Sequence, residues 1–590
     1  MSDPTIARQM SDFFKLFKDL QRLGSRWLDD VEVPSSHDLN TVLRLLPSKP
    51  VCDRLVSNYF LLWEQSFRIL HQPTFAKAYD AFWTALANGN GQNHAWMAYQ
   101  IAAIVAVVSS PTTTSSIKAD SSQEVPRRLC AKICLFLTAW TERLSGKART
   151  DFATLQTQVL LVLGKILIQI RWDEVWNTTG NLVRCAMSMG LHRDPSHFPA
   201  LGPFESELRR RLWTTIIEFE MLACTAAGMP CMTRPTDYDT ESPLDVDDLD
   251  LVPGMERGPQ TPGSLPRIEL PCQSLLARTQ RLRLEFFLTH PDHRSLDELD
   301  PFIEECRYLE AQMDWLGRCE RSDRTASRIW NLALIACYMR RTILTYTRAI
   351  AFYGCGHPES TVVRARSLGL DSSLALLNYA SVVDSLDIAM RAPFNILTKT
   401  GASSVILQLC SEIKEDNIEQ LQRPPALLIG ANERPARSRK YELRQAVRIY
   451  HDRMLKRPLE IGLDARDMLS LAIVMSAVET DEPSKEPAMR RGILEVMTVC
   501  REQMLRKKAA RGVAAHTAGN NKGTPMGSAH TQPVPHYSRQ IPAATVMNDP
   551  LDAYLGSGSE MPVDLDDILN FDFSFLDSFT LGASPEFITT

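Results

Sequence analysis

The 590-residue sequence contains 13 cysteines, yet no two of them are separated by only two residues. Structural zinc sites usually take their ligands from such closely spaced C-x2-C pairs, so the sequence gives no support for one. The cysteines are dispersed and odd in number, and no secretion signal opens the chain. We therefore expect reduced, mostly buried thiols in a protein that stays inside the cell.

Long hydrophobic runs are also absent, and a membrane-spanning helix needs about 20 consecutive apolar residues. The two most apolar stretches are 101–108 and 159–170, and Lys165 interrupts the second. Both are predicted to be buried helices, and no membrane partner is expected. The net charge of -5 gives no general attraction for nucleic acid, so any such binding has to be local.

Motifs of common catalytic chemistry are missing as well. The sequence has no G-x-S-x-G elbow, no G-x4-G-K-[ST] phosphate loop and no G-x-G-x-x-G turn. A calcium-binding loop that starts at Asp245 fails, because Leu249 and Asp250 stand where an acid or amide and a glycine are needed. We predict no enzyme activity, no cofactor and no metal site.

What the sequence does contain is a helical pattern. Hydrophobic residues make up 44% and charged residues 23%, a balance typical of a folded globular protein. Between residues 47 and 505, helical runs alternate with Pro, Gly and Asp clusters, which predicts an all-α, multi-helix regulatory domain. Residues 1–46 are predicted to hold an amphipathic helix and a linker. That helix needs a partner surface, either on the same body or on a second copy of the chain.

The clearest helix begins after Gly202 and Pro203 and ends at the Gly228-Met229-Pro230 turn. Proline suits the first turn of a helix, and glycine suits the residue after its end. We predict a central core helix with one apolar face, formed by Leu208, Leu212, Ile216, Phe219, Ala223 and Ala226.

Three consecutive arginines lie near the start of this helix. Arg209, Arg210 and Arg211 point in directions about 100° apart, so they cannot form one basic strip. Glu205 and Glu207 are spaced to pair with Arg209 and Arg211. Packing and salt-bridge roles are predicted for the arginines rather than phosphate contact.

A tight loop follows the preceding helical run at Leu191-His192-Arg193-Asp194-Pro195. Aspartate in such a loop commonly accepts hydrogen bonds from nearby backbone N–H groups, which is the role predicted for Asp194. His192 is predicted to be a structural hydrogen-bonding group rather than a ligand or a base.

The composition changes after residue 505. Residues 506–550 lack apolar periodicity and are predicted to be a disordered linker. Residues 551–590 contain no Lys or Arg, and their acids alternate with large apolar side chains. This composition is typical of a disordered activation segment that folds against a partner's groove, with contacts predicted at Leu565, Ile568, Leu569, Phe571, Phe573, Phe575, Leu576 and Phe579. A docked terminal strand is the alternative, because phenylalanines alternate with polar residues at 571–575.

Distinctive motifs occur in two parts of the helical body. One is YFLLWEQSFRILHQPTFAKAYDAFW at 59–83; the other is WNTTGNLVRCAMSMGLHRDPSHF at 176–198, followed by ESELRRRLW at 205–213, GMP at 228–230 and SPLDVDDLD at 242–250. In order and spacing these elements resemble the fungal-specific transcription factor domain, the middle homology region of fungal binuclear zinc cluster regulators. The residues that carry the second part of the resemblance are Gly190, Leu191, His192, Arg193, Asp194, Glu207, Arg209, Arg210, Arg211, Leu212, Trp213, Gly228 and Pro230.

The resemblance implies an all-helical regulatory domain in a nuclear regulator of a fungal metabolic or secondary-metabolite pathway. Its acidic tail would contact the transcription machinery or coactivators, and DNA would be reached directly or through a partner regulator. A homodimer, a heterodimer and a small-molecule effector all stay open. The alternative is a cytoplasmic helical scaffold or ligand-binding protein with no promoter function.

Two features depart from the family pattern. The zinc cluster, two C-x2-C-x6-C halves, is absent, and the first cysteine is Cys52, already inside the helical domain. Zinc is expected for the family, but it cannot be assigned to any residue here. Either the chain borrows a partner's DNA-binding domain, or an upstream exon is missing from the sequence. The second departure is Met229, where the family commonly has arginine.

Overall fold

The computed structural model describes residues 38–90, 94–109, 127–168, 171–258, 271–288, 295–353, 357–398, 402–414, 439–456, 471–476, 487–488, 490–502 and 505. Within these ranges the regular structure is helical and no strand occurs, which confirms the predicted all-α class. The N-terminal helix, the linker and the acidic tail that the sequence predicts lie outside the described residues. The proposed domain boundaries therefore stay predictions.

The helices are α1 (Leu39–Leu45), α2 (Lys49–Leu62), α3 (Gln72–Ala87), α4 (Ala95–Ser109), α5 (Arg127–Arg143), α6 (Phe152–Leu167), α7 (Trp172–Ser188), α8 (Pro203–Ala227), α9 (Cys272–Leu288), α10 (Asp300–Arg318), α11 (Asp323–Tyr353), α12 (Glu359–Asp384), α13 (Ile388–Thr398), α14 (Ala402–Lys414) and α15 (Arg439–Lys456). Residues 471–476 and 490–502 are also helical. The described residues up to Val496 belong to one compact unit, whereas residues 497–502 and 505 belong to a second.

The two most apolar stretches form α4 and α6, which pack against each other and are buried as predicted. Lys165, the charged residue in α6, is 1% exposed. Its Nζ donates to Glu174 Oε1 at 3.3 Å and to Thr178 Oγ1 at 3.2 Å, so α7 supplies partners for the buried ammonium group. No helix among the residues that the structure describes combines the length and apolarity needed to cross a bilayer.

The long helix α11 organises the later part of this unit, where it packs against α9, α10 and α12. The end of α2 docks onto it through an edge-to-face contact between the rings of Trp63 and Trp330, whose centroids lie 5.5 Å apart. Ser66 Oγ donates to Asn331 Oδ1 at 2.7 Å, and Asn331 Nδ2 donates to the Leu62 carbonyl at 3.1 Å. Early and late helices therefore share one hydrophobic core.

Helix α8 has the bounds that the sequence predicts. Proline occupies its first turn, and Gly228 ends it at φ 64°, a left-handed conformation that favours glycine. The predicted central position of α8 is confirmed, but α8 is buried on all sides over much of its length and not on one apolar face alone. Every residue from Arg211 to Cys224 is buried, because the polar residues on the other faces find partners inside the protein.

The cysteines agree with the expectation of dispersed, mostly buried thiols. No cysteine that the structure describes is part of a disulfide bond, and all of them except Cys319 are buried.

Candidate functional site

Asp194 gathers hydrogen-bond donors from three segments of the chain. Its carboxylate accepts two bonds from Arg210, from Nε at 2.9 Å and Nη2 at 2.8 Å. It also accepts from the backbone N–H groups of Ser196 at 3.0 Å and Glu241 at 2.9 Å, which confirms the predicted backbone bonds. Burial alone would raise the pKa of Asp194, but Arg210 and these N–H donors outweigh it and hold the pKa well below its usual range.

Arg211, 2% exposed, joins the middle of α8 to the loop that follows the helix. Its Nε donates to Glu207 Oε1 at 2.8 Å, the pair that the four-residue spacing predicts. Its Nη1 donates to Asp248 Oδ1 at 2.7 Å and its Nη2 to the Val246 carbonyl at 3.2 Å. Glu207 accepts in turn from the Leu244 N–H at 3.2 Å, so both members of the pair hold the loop.

Asp248 connects this loop to the segment that leads into α3. Arg68 also donates to its carboxylate, and the Gln72 N–H donates to Oδ2 at 2.8 Å. The Asp248 carbonyl oxygen lies 2.9 Å from His71 Nε2. Burial would raise the pKa of Asp248, yet the two guanidinium groups of Arg68 and Arg211 outweigh it and lower that pKa.

We call Arg68, Glu207, Arg211 and Asp248 the arginine–acid cluster. It brings together residues up to 180 positions apart in the sequence. Two arginines face two carboxylates there, so the buried charges balance. The cluster fixes the 244–248 loop against α8 and against the turn before α3.

Glu64 lies close to this cluster and is 8% exposed. Its carboxyl group accepts from the Tyr59 hydroxyl at 2.6 Å and from the N–H groups of Ile69 at 3.0 Å and Leu70 at 2.8 Å. Burial raises the pKa of Glu64 to about 8, even though the bonds from Tyr59 and Leu70 act in the opposite direction. This side chain caps the turn between α2 and α3.

Two of the predicted roles need correction. Arg209 forms no pair with Glu205 among the described residues, because its Nη2 reaches the carbonyl of Met189 at 2.6 Å instead. His192 is not held by a hydrogen bond at Nδ1, which has no partner in the described part of the chain. Its ring packs against the ring of Trp213, with centroids 6.4 Å apart, so its role there is packing.

The other residues of the loop after α7 have local roles. Gly190 adopts φ 77°, and its N–H donates to the Met187 carbonyl at 2.9 Å, which ends the helix. Leu191 is fully buried. Arg193 is about half exposed and pairs with Asp239 at 3.1 Å between Nη2 and Oδ2.

Leu212 and Trp213 are each 1% exposed within α8. The Trp213 ring meets the ring of Tyr238 edge to face at 5.5 Å. Pro230, at the end of the turn, uses its carbonyl to accept from Trp176 Nε1 at 3.2 Å. These contacts join α7, α8 and the loop after α8 into one packed assembly.

The predicted motif residues from 190 to 230 therefore lie on one assembly, in which Arg210 and Arg211 form salt bridges. Glu64, Arg68 and Asp248 lie within the motifs at 59–83 and 242–250, but no role was predicted for any of them. The HQPTF motif at 71–75 was a usable signal, since His71 lies against Asp248. The predicted tail contacts, from Leu565 to Phe579, lie outside the described residues and stay predictions.

Residues 56–257 match the family model described as the fungal specific transcription factor domain. The match identifies residues 56–257 as a fungal specific transcription factor domain. The match spans all four members of the arginine–acid cluster and both sequence stretches that resemble this family.

Curated relatives carry transcription-factor names. Transcription factor opdR of Penicillium oxalicum is 29% identical over 63% of this chain and 46% of its own length. The fusarisetin A cluster transcription factor fsa6 of a Fusarium species is 25% identical over 59% of this chain and 47% of its own length. The Zn(2)-C6 fungal-type transcription factor mpsB of Macrophomina phaseolina is 31% identical over 39% of this chain and 30% of its own length.

The chain spans about half the length of the first relatives it matches. These names and the family point to transcription factors and not to enzymes. No solved structure matches the chain significantly.

The binuclear zinc cluster to which the name of mpsB refers does not fit the residues present. It requires two C-x2-C-x6-C halves, and the 590-residue sequence contains no C-x2-C pair. No DNA contact is therefore assigned through such a cluster in this chain.

Proposed function

We propose that this chain is a nuclear transcription regulator of a fungal metabolic or secondary-metabolite pathway, and that it activates transcription through residues 551–590. The observation that carries the proposal is the family match at 56–257. The names of the relatives support the pathway class, since one is named for the fusarisetin A cluster and another for the equisetin cluster.

The helical domain acts as the regulatory platform in this proposal. Arg210 forms a salt bridge with Asp194, and Arg211 forms salt bridges with Glu207 and Asp248. Neither arginine is therefore available to bind phosphate. Contact with DNA is then made directly or through a partner regulator that supplies the DNA-binding domain. The composition of residues 551–590 supports contact with the transcription machinery or a coactivator, because acids alternate there with aromatic residues that offer apolar contacts.

Two measurements on the full chain test the proposal. A fluorescent fusion should accumulate in the nucleus of a fungal cell. The chain tethered to an unrelated DNA-binding domain should drive a reporter, and removal of residues 551–590 should abolish that output while the protein level stays the same. A cytoplasmic fusion that is silent when tethered would instead support a helical scaffold or ligand-binding protein.

A further inference from the structure

Helix α8 and the turn after it bring one carboxylate and two thiols together. Glu220 and Cys224 lie one turn apart on the same face of α8, and Cys231 follows the Gly228-Met229-Pro230 turn. One carboxylate oxygen of Glu220 and both sulfur atoms lie within 4.8 Å of one another. All three residues are buried, with exposures of 2%, 1% and 8%.

Only one of the two carboxylate oxygens of Glu220 accepts hydrogen bonds from the described residues. Oε1 accepts from the backbone N–H groups of Met232 at 3.0 Å and Thr233 at 3.2 Å. Oε2 has no hydrogen-bond partner among the described residues, and neither does the buried hydroxyl of Thr233. A buried carboxylate oxygen without a donor or cation costs free energy, so this oxygen requires a partner.

We propose that Glu220 Oε2, Cys224 Sγ and Cys231 Sγ bind a divalent cation of the zinc class. Zinc is commonly bound by thiolate sulfur and carboxylate oxygen in a tetrahedral arrangement. Bond lengths of about 2.3 Å to sulfur and 2.1 Å to oxygen place tetrahedral ligand atoms about 3.6–3.8 Å apart. The ligand atoms already lie within 4.8 Å of one another, so they need to approach by at most about 1 Å to reach that geometry.

Binding exchanges weak sulfur hydrogen bonds for metal bonds. In the structure, Cys224 Sγ lies 3.4 Å from the Pro230 carbonyl oxygen, and Cys231 Sγ lies 3.7 Å from that of Thr233. The cation takes both sulfurs as thiolates, and the two thiol protons pass to solvent. The fourth coordination position falls to a water molecule.

The surrounding turn gives an ion a route to the site. Met229 and Met232, on either side of Cys231 in the sequence, are 39% and 56% exposed, so the segment over the site lies at the surface. A bound cation would tie this segment to the last turns of α8, where the negative end of the helix dipole favours positive charge. The site is separate from the family's binuclear cluster and does not depend on the proposed function.

The test starts with the full chain, purified under reducing conditions and dialysed against a weak chelator. We expect about one zinc ion per chain by elemental analysis. Co²⁺ added to metal-free protein should give sulfur-to-cobalt charge-transfer bands and the visible bands of a tetrahedral ion, and Zn²⁺ should displace it.

Three variants locate the ion. The double variant Cys224→Ser/Cys231→Ser should lose the zinc and the charge-transfer bands. Glu220→Gln, which keeps an oxygen for the two N–H donors, should bind Zn²⁺ at least tenfold more weakly. The matched control is Cys130→Ser/Cys134→Ser, which alters another pair of buried cysteines, both within α5, and should retain the full zinc content.

Wild-type protein without zinc and without cobalt charge-transfer bands would overturn the proposal. So would a disulfide between Cys224 and Cys231 that persists in the reduced preparation, or equal zinc loss in the control pair. If the double serine variant does not fold, the wild-type stoichiometry and the Glu220→Gln affinity still decide the matter.

Discussion

Replacing Asp248 with asparagine removes one negative charge from the arginine–acid cluster and leaves its size almost unchanged. In the native protein, Oδ1 accepts from Arg68 and Arg211, and Oδ2 accepts from the Gln72 N–H. Asparagine has only one accepting oxygen, so its NH2 group must face one of these N–H donors. Two buried guanidinium groups would then share one neighbouring carboxylate, that of Glu207.

The expected cost is that of breaking a buried ion pair, about 3–5 kcal/mol of unfolding free energy. A folded domain has only about 5–15 kcal/mol in total, so the Asp248→Asn variant should unfold at a clearly lower urea concentration. The matched control is Asp245→Asn in the same loop. Asp245 pairs with Arg278 at 3.0 Å, but their side chains are 31% and 33% exposed. This pair should be worth less than about 1 kcal/mol.

Urea unfolding at pH 7, followed by circular dichroism, gives the two free energies. Hydrogen exchange in residues 241–251 separates global unfolding from local release of the loop. Equal costs for the two variants, within about 0.5 kcal/mol, would refute the claim that buried charge at Asp248 holds the loop to α8.

Three further predictions concern single side chains. Burial raises the pKa of Glu64 to about 8, whereas a glutamate in the unfolded chain has a pKa of about 4.3. Between about pH 4.3 and pH 8 the folded protein therefore holds a proton on Glu64 that the unfolded chain has released. The free energy of unfolding should fall by about 1.4 kcal/mol for each pH unit in this interval. Denaturation at several pH values should show this slope in the wild type and not in Glu64→Gln. The pKa of Asp194 is lowered, so its ion pair with Arg210 stabilises the fold above the unfolded pKa of about 3.9 and is lost as pH falls below it. Asp194→Asn should cost about 3 kcal/mol at pH 7 and less in acid, and a constant difference would contradict this reading. Gly228→Ala should lower the free energy of unfolding by about 1 kcal/mol, because residue 228 has a positive φ that alanine disfavours. Gly317→Ala, at an ordinary helical position in α10, should raise it by about 0.5 kcal/mol. Similar changes in melting temperature for the two variants would argue against a left-handed cap at Gly228.

Local signals account for what the sequence predicted of the fold. Proline at the start of α8 and glycine after its end act within a few residues, so both bounds were predictable. The Glu207–Arg211 pair was predictable for the same reason, since it spans one helical turn. The apolar runs of α4 and α6 indicated buried helices by composition alone.

Contacts between distant segments could not be predicted in this way. Arg68 and Asp248 are 180 residues apart, and no periodicity relates them. Glu218 is not part of the apolar face predicted for α8, yet Arg283 of α9 pairs with it in the interior at 2.5 Å. The grouping of Cys231 with α8 depends on how the turn closes, and residue spacing does not encode that closure.

The central claim is that this fungal specific transcription factor domain belongs to a regulator that acts through an acidic, aromatic tail. Reporter transcription from residues 551–590 tethered to an unrelated DNA-binding domain tests it most directly. The account predicts strong output that is lost when Phe571, Phe573, Phe575 and Phe579 are changed to alanine, and output retained in Phe587→Ala, which lies beyond the acid-rich array. Silence from the unaltered tail at normal protein level, or output that survives the fourfold change, would contradict the claim.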